Sequence, residues 1–341
     1  MKKVLIALIL IVSSISLVSC RNKDLITNNT DSLTINVSQE NIKIMQLTDL
    51  HLTYGFDHQD RKTYKLIDKL IITEKPDVII VTGDLFMSIH GRRVFKQFIK
   101  FMDGYDIPWS LVFGNHEAEF MDMELVLDTL LSVKTKNLYF AINDKVKNNS
   151  KNGFSNFRLE LKYNDNSILN LYLLDTKLNR TDGIVEKNNN YDYLSNDQVN
   201  WYKRLVKDDT VNSLAFMHIP LRQYLEYDKK EGMDEPVHAQ AVDTGFYDAM
   251  TNPEEGNYKT LGVFSGHDHL NNFSFRLNND SREPLLAYGL TSGYNAYGKG
   301  SKGARIINYN NTTKLMDSYL VFDKELGLWK CHIASFCYLT W

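Results

Sequence analysis

Five short polar motifs each follow directly on an apolar, strand-like run, and this coincidence constrains the chain more than any other feature. Asp49-Leu50-His51 follows the alternating run Ile42 to Leu47. Gly83-Asp84 follows Val78 to Val81, and Gly114-Asn115-His116-Glu117 follows Trp109 to Phe113. His218 ends the run Ser213 to Met217, and Gly266-His267-Asp268-His269 follows Leu261 to Phe264. Between the early runs, apolar residues recur at helical spacing over Arg61–Thr73 (Tyr64, Ile67, Leu70, Ile71), Arg92–Met102 and Met121–Val133. Strands alternating with helices over short connections predict an α/β sandwich. In such sheets, side chains at strand ends converge on one crevice. Each motif glycine lets the backbone turn tightly enough to aim the following side chain into it.

The later chain is more strand-like. Phe154–Leu161 and Ile168–Leu174 read as a hairpin around an Asn/Asp-rich turn. Asp197–Val206 reads as a helix capped by Ser195 or Asn196, and His238–Met250 as another. Further strands are predicted at Asn272–Leu277, Pro284–Tyr288, Arg305–Tyr309 and Ser318–Phe322. No repeat or linker splits residues 42–322, so they are read as one domain.

Residues 1–20 read as an address rather than as fold. Lys2 and Lys3 precede the apolar run Val4 to Val12, and the segment ends Leu17-Val18-Ser19-Cys20. This layout is that of a secretory signal peptide, and its end resembles the bacterial lipobox, in which the Cys thiol is lipidated after cleavage. The expectation is a lipoprotein held by Cys20 on the outer face of a membrane, with residues 21–41, rich in Asn, Thr, Ser and Asp, as a flexible tether. Residues 323–341 form a tail whose packing the sequence leaves open. Cys331 and Cys337 lie six apart, so a disulfide between them needs an intervening turn.

Charge limits the partners. The 341 residues carry 39 basic and 42 acidic side chains, a net charge of −3; loss of Lys2 and Lys3 with the signal gives −3 − 2 = −5. Proteins that coat nucleic acid carry a basic excess, so no stable nucleic-acid binding is expected. Chemistry on an anionic substrate must then rely on a few local charges or on metal ions.

The motifs supply such a site. Carboxylates, imidazoles and one amide oxygen form a mixed N/O donor set suited to Mn, Fe, Zn or Co rather than Ca or Mg. His51, His116, His218, His267 and His269, five of the nine histidines, lie in the motifs. Taken singly, Asp-x-His or Gly-Asp is a weak signal and usually a turn; taken together, the five point to a metal centre with donors for two ions. A pair of ions roughly 3.5–4 Å apart can hold a phosphate, acidify a water and stabilise entering and leaving oxygens.

The order DxH, GD, GNH(D/E), H, GHxH resembles the calcineurin-like metallophosphoesterase superfamily. Ile107-Pro108-Trp109, Met217-His218-Ile219-Pro220-Leu221, Gly266 to Asn271 and Gly293 to Gly300 look like its purple-acid-phosphatase-like branch. The resemblance spans about Ile42 to Tyr309. It implies a four-layer α/β/β/α sandwich with two mixed sheets, and a hydrolase of phosphate esters. One ion would take Asp49, His51, Asp84 and His269; the other would take Asp84, Asn115, His218 and His267, with Asp84 bridging. His116 would contact the phosphate and protonate the leaving oxygen, and Glu117 would orient it. True purple enzymes have a Tyr ligand three residues after the bridging Asp. Here that position is Met87, so a colourless or faintly coloured protein is expected.

A phosphomonoesterase outside the cytoplasm is the leading expectation. A phosphodiesterase for nucleotides or lipid head groups is the alternative, and a non-catalytic surface-binding lipoprotein the remote one. Tyr294, Asn295, Tyr297 and Lys299, in a Gly-rich loop, either line the substrate pocket or form a surface turn. Asp175 is either a support for the site or a strand-end cap. His58, His90, His238 and His332 fit no motif and are expected to be ordinary.

Overall fold

The computed structural model describes residues 26–28, 30–143, 146, 151–178, 191–251 and 259–331. Its elements run β1 (Ile26–Asn28), β2 (Ser32–Asn36), β3 (Asn41–Leu47), α1 (His58–Glu74), β4 (Val78–Thr82), α2 (Gly91–Met102), β5 (Trp109–Val112), α3 (Met123–Ser132), β6 (Phe140–Ile142), β7 (Phe157–Tyr163), β8 (Asn166–Leu173), α4 (Asn196–Asp208), β9 (Ser213–Phe216), α5 (Phe246–Thr251), β10 (Thr260–Ser265), β11 (Ser274–Phe275), β12 (Leu285–Tyr288), β13 (Gly303–Asn310), β14 (Leu315–Phe322) and β15 (Trp329–Cys331). A six-stranded sheet has the order β15-β14-β13-β3-β4-β5, and a seven-stranded sheet the order β11-β12-β10-β9-β8-β7-β2. Both are mixed: β3, β4 and β5 run parallel beside antiparallel β13 and β14, and β8, β9, β10 and β12 run parallel beside antiparallel β7 and β11.

Alternation along the strands separates two cores. Leu169, Leu171, Leu214, Phe216, Phe264 and Ala287 pack into the core that also holds β3–β5 and the apolar faces of α1, α2 and α3. Their neighbours Tyr172, Ala215, Met217, Val263, Leu286 and Tyr288 face the other way, onto Val199, Trp201 and Tyr202 of α4 and Phe246 of α5. A side-chain period of two puts successive residues on opposite faces. The seven-stranded sheet is therefore covered on both sides, and the layers run helices, sheet, sheet, helices.

Local chemistry sets the boundaries. α1 begins earlier than the apolar period shows, because Asp57 caps it by accepting from the backbone N–H of Gln59 and Asp60. α4 starts on a reciprocal box between Ser195 and Gln198. The expected hairpin is present, with Asn164 and Asp165 both at positive φ in its turn. Two expectations fail. Residues 238–245 are not helical: His238 uses its N–H and ring on Asp268, and Gly245 sits at φ 80°, so only Phe246–Thr251 coils. Residues 26–36, read as tether, include two strands. β2 lies at the sheet edge parallel to β7, with Ile35 buried. One buried apolar residue in a polar stretch leaves almost no period to read. Cys20, Cys337, His332 and residues 1–20 and 332–341 lie outside the described residues. No helix among the described residues is long and apolar enough to cross a membrane.

Candidate metal centre

β3, β4, β5, β9 and β10 end at one edge of the two sheets, and the residues that follow meet there. The loops after β3 and β4 are zipped together: Asp49 N–H donates to Gly83 O at 3.2 Å, His51 N–H to Asp84 O at 2.9 Å and Leu52 N–H to Leu85 O at 3.0 Å. Gly266 N–H donates to His218 O at 3.0 Å and joins the last two motifs. Gly83 has φ 84°, and a Cβ on it would lie 2.5 Å from His218 Nδ1. Gly114 is needed for approach rather than for its dihedral, since a Cβ there would lie 2.3 Å from Asp84 Oδ1.

Two buried donor groups result, Asp49–His51–Asp84–His269 and Asp84–His218–His267, each with its ligand atoms within 4.8 Å of one another. Asp84 belongs to both. His218 Nε2 lies 3.1 Å from Asp84 Oδ2 and 3.1 Å from Asn115 Oδ1, while its Nδ1 faces Thr82 O at 2.8 Å. His51 Nε2 lies 3.5 Å from Asp84 Oδ2, and His269 Nε2 3.4 Å from Asp49 Oδ1. His51 and His269 point their Nε2 atoms at each other, 3.0 Å apart. The seven residues singled out as donors are all gathered in one place.

The electrostatics suit cations. Burial lowers His51 to about 4 against the pull of Asp84. Burial, with His218 alongside, lowers His267 to about 4. Both rings are therefore neutral near pH 7, the form that binds metal. Burial opposes the charge on Asp49, but His269 and His218 outweigh it and hold the carboxyl at about 2. Asp84 is likewise held well below the usual range against its burial, by His218, His51 and His116. Burial also opposes charge on His218, yet the carboxylates of Asp84 and Asp49 lift it to about 10. Two fully buried carboxylates thus draw positive charge inward. Ionised carboxylates beside the neutral rings of His51 and His267, with the Nε2 atoms of His51 and His269 facing each other, fit two transition-metal ions.

The surroundings depart from the sequence reading. Glu117 does not touch His116. It is buried and accepts from Leu85 N–H at 2.6 Å and Gly114 N–H at 2.8 Å, so it clamps the loop after β4 to the loop after β5. The partner of His116 Nδ1 is Glu119, three residues on. His116 is the most open of the motif histidines, with 32% of its side chain exposed and Nε2 3.9 Å from Asp84 Oδ2. Burial pulls its pKa down, but Asp84 and Glu119 prevail and raise it. Tyr294 and Asn295 pin their loop instead of facing the donors: Tyr294 bonds Asp323 through its hydroxyl, and Asn295 Nδ2 donates to Asp60 Oδ1 at 2.8 Å. Tyr297 does reach the site, stacked on His269 with 3.9 Å between ring centroids. Lys299 is exposed. Asp175 accepts from the backbone N–H groups of Phe154, Ser155 and Lys177, a buried loop anchor.

The sequence reading missed four participants, His238, Tyr288, Tyr191 and Glu119, the first three of which carried no readable signal. His238 is not ordinary: it meets Asp268 at 2.7 Å through Nδ1. Asp268 also accepts from Tyr288, which fixes the loop between His267 and His269. Tyr191 sets its ring edge-on to His267 at 4.2 Å. Glu119 alone had a local cue, its i,i+3 spacing from His116.

The calcineurin-like phosphoesterase profile matches residues 42–271. "Probable inactive purple acid phosphatase 14" of Arabidopsis thaliana is 28% identical over 314 residues, covering 77% of this chain and 73% of its own. "Phosphatase DCR2" of Saccharomyces cerevisiae is 27% identical over 276 residues, 72% of this chain and 47% of that one. A dimetal phosphatase structure from Danio rerio superposes with a TM-score of 0.53 at 11% identity, over 85% of this chain and 98% of that one, a likeness of fold. The profile covers more than half of the sequence and takes in all five motifs, the apolar runs before them and every proposed donor, and on that ground the chain belongs to the calcineurin-like phosphoesterase family.

Proposed function

We propose that this protein hydrolyses phosphate monoesters outside the cytoplasm, using two transition-metal ions (Mn, Fe or Zn) held by Asp49, His51, Asp84, Asn115, His218, His267 and His269. The observation that carries the reading is that Asp84, fully buried, belongs to both donor groups. Bound there, two such ions supply Lewis-acid charge to phosphoryl oxygens and lower the pKa of a water. The chain's own residues do the rest. The buried imidazoles and carboxylates exclude bulk water and fix the direction of their donor atoms. His116, at the open edge and raised in pKa, holds a proton on Nε2 for the departing oxygen, while Glu119 orients the ring through Nδ1.

The location outside the cytoplasm and the lipid anchor at Cys20 rest on the sequence pattern of residues 1–20. They are supported by Cys331, which is disulfide-bonded. Disulfides persist in oxidising compartments. Purified protein analysed for metal and assayed on an aryl phosphomonoester and an aryl phosphodiester tests the reading. Two ions per chain and faster monoester cleavage are expected. Asp84→Asn should lose both ions together and at least a hundredfold in rate. Loss of one ion only, or full activity without metal, would refute the shared-carboxylate site. Preference for the diester would move the assignment to a phosphodiesterase.

A further inference from the structure

The loop 293–300 is held as firmly as the donor loops. Gly293 N–H donates to Asp49 O at 3.2 Å, and a Cβ on Gly293 would lie 2.1 Å from Leu50 O. Tyr294 N–H donates to Thr63 Oγ1 at 3.0 Å. At the tip, the Tyr297 hydroxyl donates to Glu235 Oε2 at 2.8 Å, and Glu235 Oε1 accepts from Leu270 N–H at 2.7 Å. One carboxylate thus ties the tip of this loop to the residue after His269. The Tyr297 ring lies against the His269 ring, 29° from parallel. It nevertheless remains 53% exposed. One face is spent on a donor histidine, and about half of the residue stays in water.

A large ring held by both a stack and a hydrogen bond, yet left half in water, is placed to be covered by something else. Its neighbour His269 aims Nε2 into the donor cluster, 3.0 Å from His51 Nε2. A phosphate seated on those donors would lie one imidazole ring from Tyr297, and its organic part would find that half-exposed ring beside it. We propose that Tyr297 determines specificity as an aromatic shelf, so that this site prefers phosphate esters whose organic part carries a planar aryl or heteroaryl ring. The proposal rests on the phosphoesterase reading for its turnover arm but not for its binding arm. Glu235 is a positioning residue for the shelf.

The test uses metal-loaded protein and two matched pairs. Benzyl phosphate and cyclohexylmethyl phosphate serve for turnover; benzylphosphonate and cyclohexylmethylphosphonate serve for binding by calorimetry. Within each pair charge and reach are alike, and only the planarity of the ring differs. The aromatic member should show KM and Kd about fivefold lower, the size of one ring-on-ring contact. Tyr297→Leu should erase that ratio while keeping both ions, and Tyr297→Phe should retain it. Equal constants for the two members in the unaltered protein would overturn the proposal. So would a Tyr297→Leu protein that loses metal and weakens both members alike, which would make Tyr297 only a prop for His269. Preferential binding of the aromatic phosphonate without cleavage of either ester would uphold the shelf and remove the hydrolase reading, so the two failures are distinguishable.

Discussion

Asp49, His51, Asp84 and His267 have φ of 53°, 44°, 51° and 82°. Side chains other than glycine rarely occupy that region, and holding one there costs on the order of 1–3 kcal/mol. Four such residues in one cluster mean that the surrounding packing and the zipped loops hold a geometry that the local chain does not prefer. The return is that four donors project into the same small volume. His116 is different: its backbone is ordinary, its N–H donates to Asp84 Oδ1 at 2.9 Å, and its ring is steered by Glu119. His116→Ala should therefore keep both ions and lose on the order of a hundredfold in kcat. Glu119→Gln should lose several-fold, also with metal retained; unaltered kinetics in that variant would show that the ring needs no steering. Met87 brings no phenolate beside Asp84, so the metal-loaded protein should lack an intense violet absorption band, which a visible spectrum checks.

Loops and helix ends carry the next level of order. Glu117 and the glycines at 83 and 114 show that the donor loops are built as a pair, each blocking the other's freedom. On the far sheet, α4 is fixed by Ser195, whose Oγ accepts from Gln198 N–H at 3.2 Å and donates to Asn152 Oδ1 at 2.7 Å. Its removal takes away a cap and leaves a buried amide oxygen short of a donor. Ser195→Ala should cost about 1–2 kcal/mol in denaturant unfolding, with phosphatase kinetics unaffected because α4 packs on the face away from the donors. The elements most legible in the sequence were those with long periods or strong punctuation, such as α1, α2, β4 and the β7–β8 hairpin. β2 and the stretch 238–245 were misread because their conformation comes from a neighbour: β7 in one case, Asp268 in the other.

Both sheets contribute to the centre: Asp49, Asp84 and Asn115 follow strands of the six-stranded sheet, and His218, His267 and His269 follow strands of the seven-stranded one. An ion bound between them fastens one sheet to the other. Metal should accordingly stabilise the whole domain, by about 2.7 kcal/mol per site when the free ion is at a hundred times its Kd. Thermal unfolding of loaded and chelator-treated protein should differ by several degrees, and the difference should vanish in Asp84→Asn. A chelator without effect on Tm would show that the sheets are held together without the ions.

The donor set was open to sequence reading because each member is marked locally, by an apolar run before it and, for all but His218, a glycine or an x-His spacing beside it. Strand and helix periods likewise report the faces of single elements. What surrounds the donors was not open in this way. Tyr297 meets His269, Tyr191 meets His267 and His238 meets Asp268 across long stretches of chain, and Glu117 and Glu119 exchange the roles that adjacency to His116 suggests. Side chains two residues apart in a turn can face opposite ways, and residues far apart are brought together by the packing of two sheets. No pattern in the sequence encodes either outcome, because both depend on distances that only the folded chain sets.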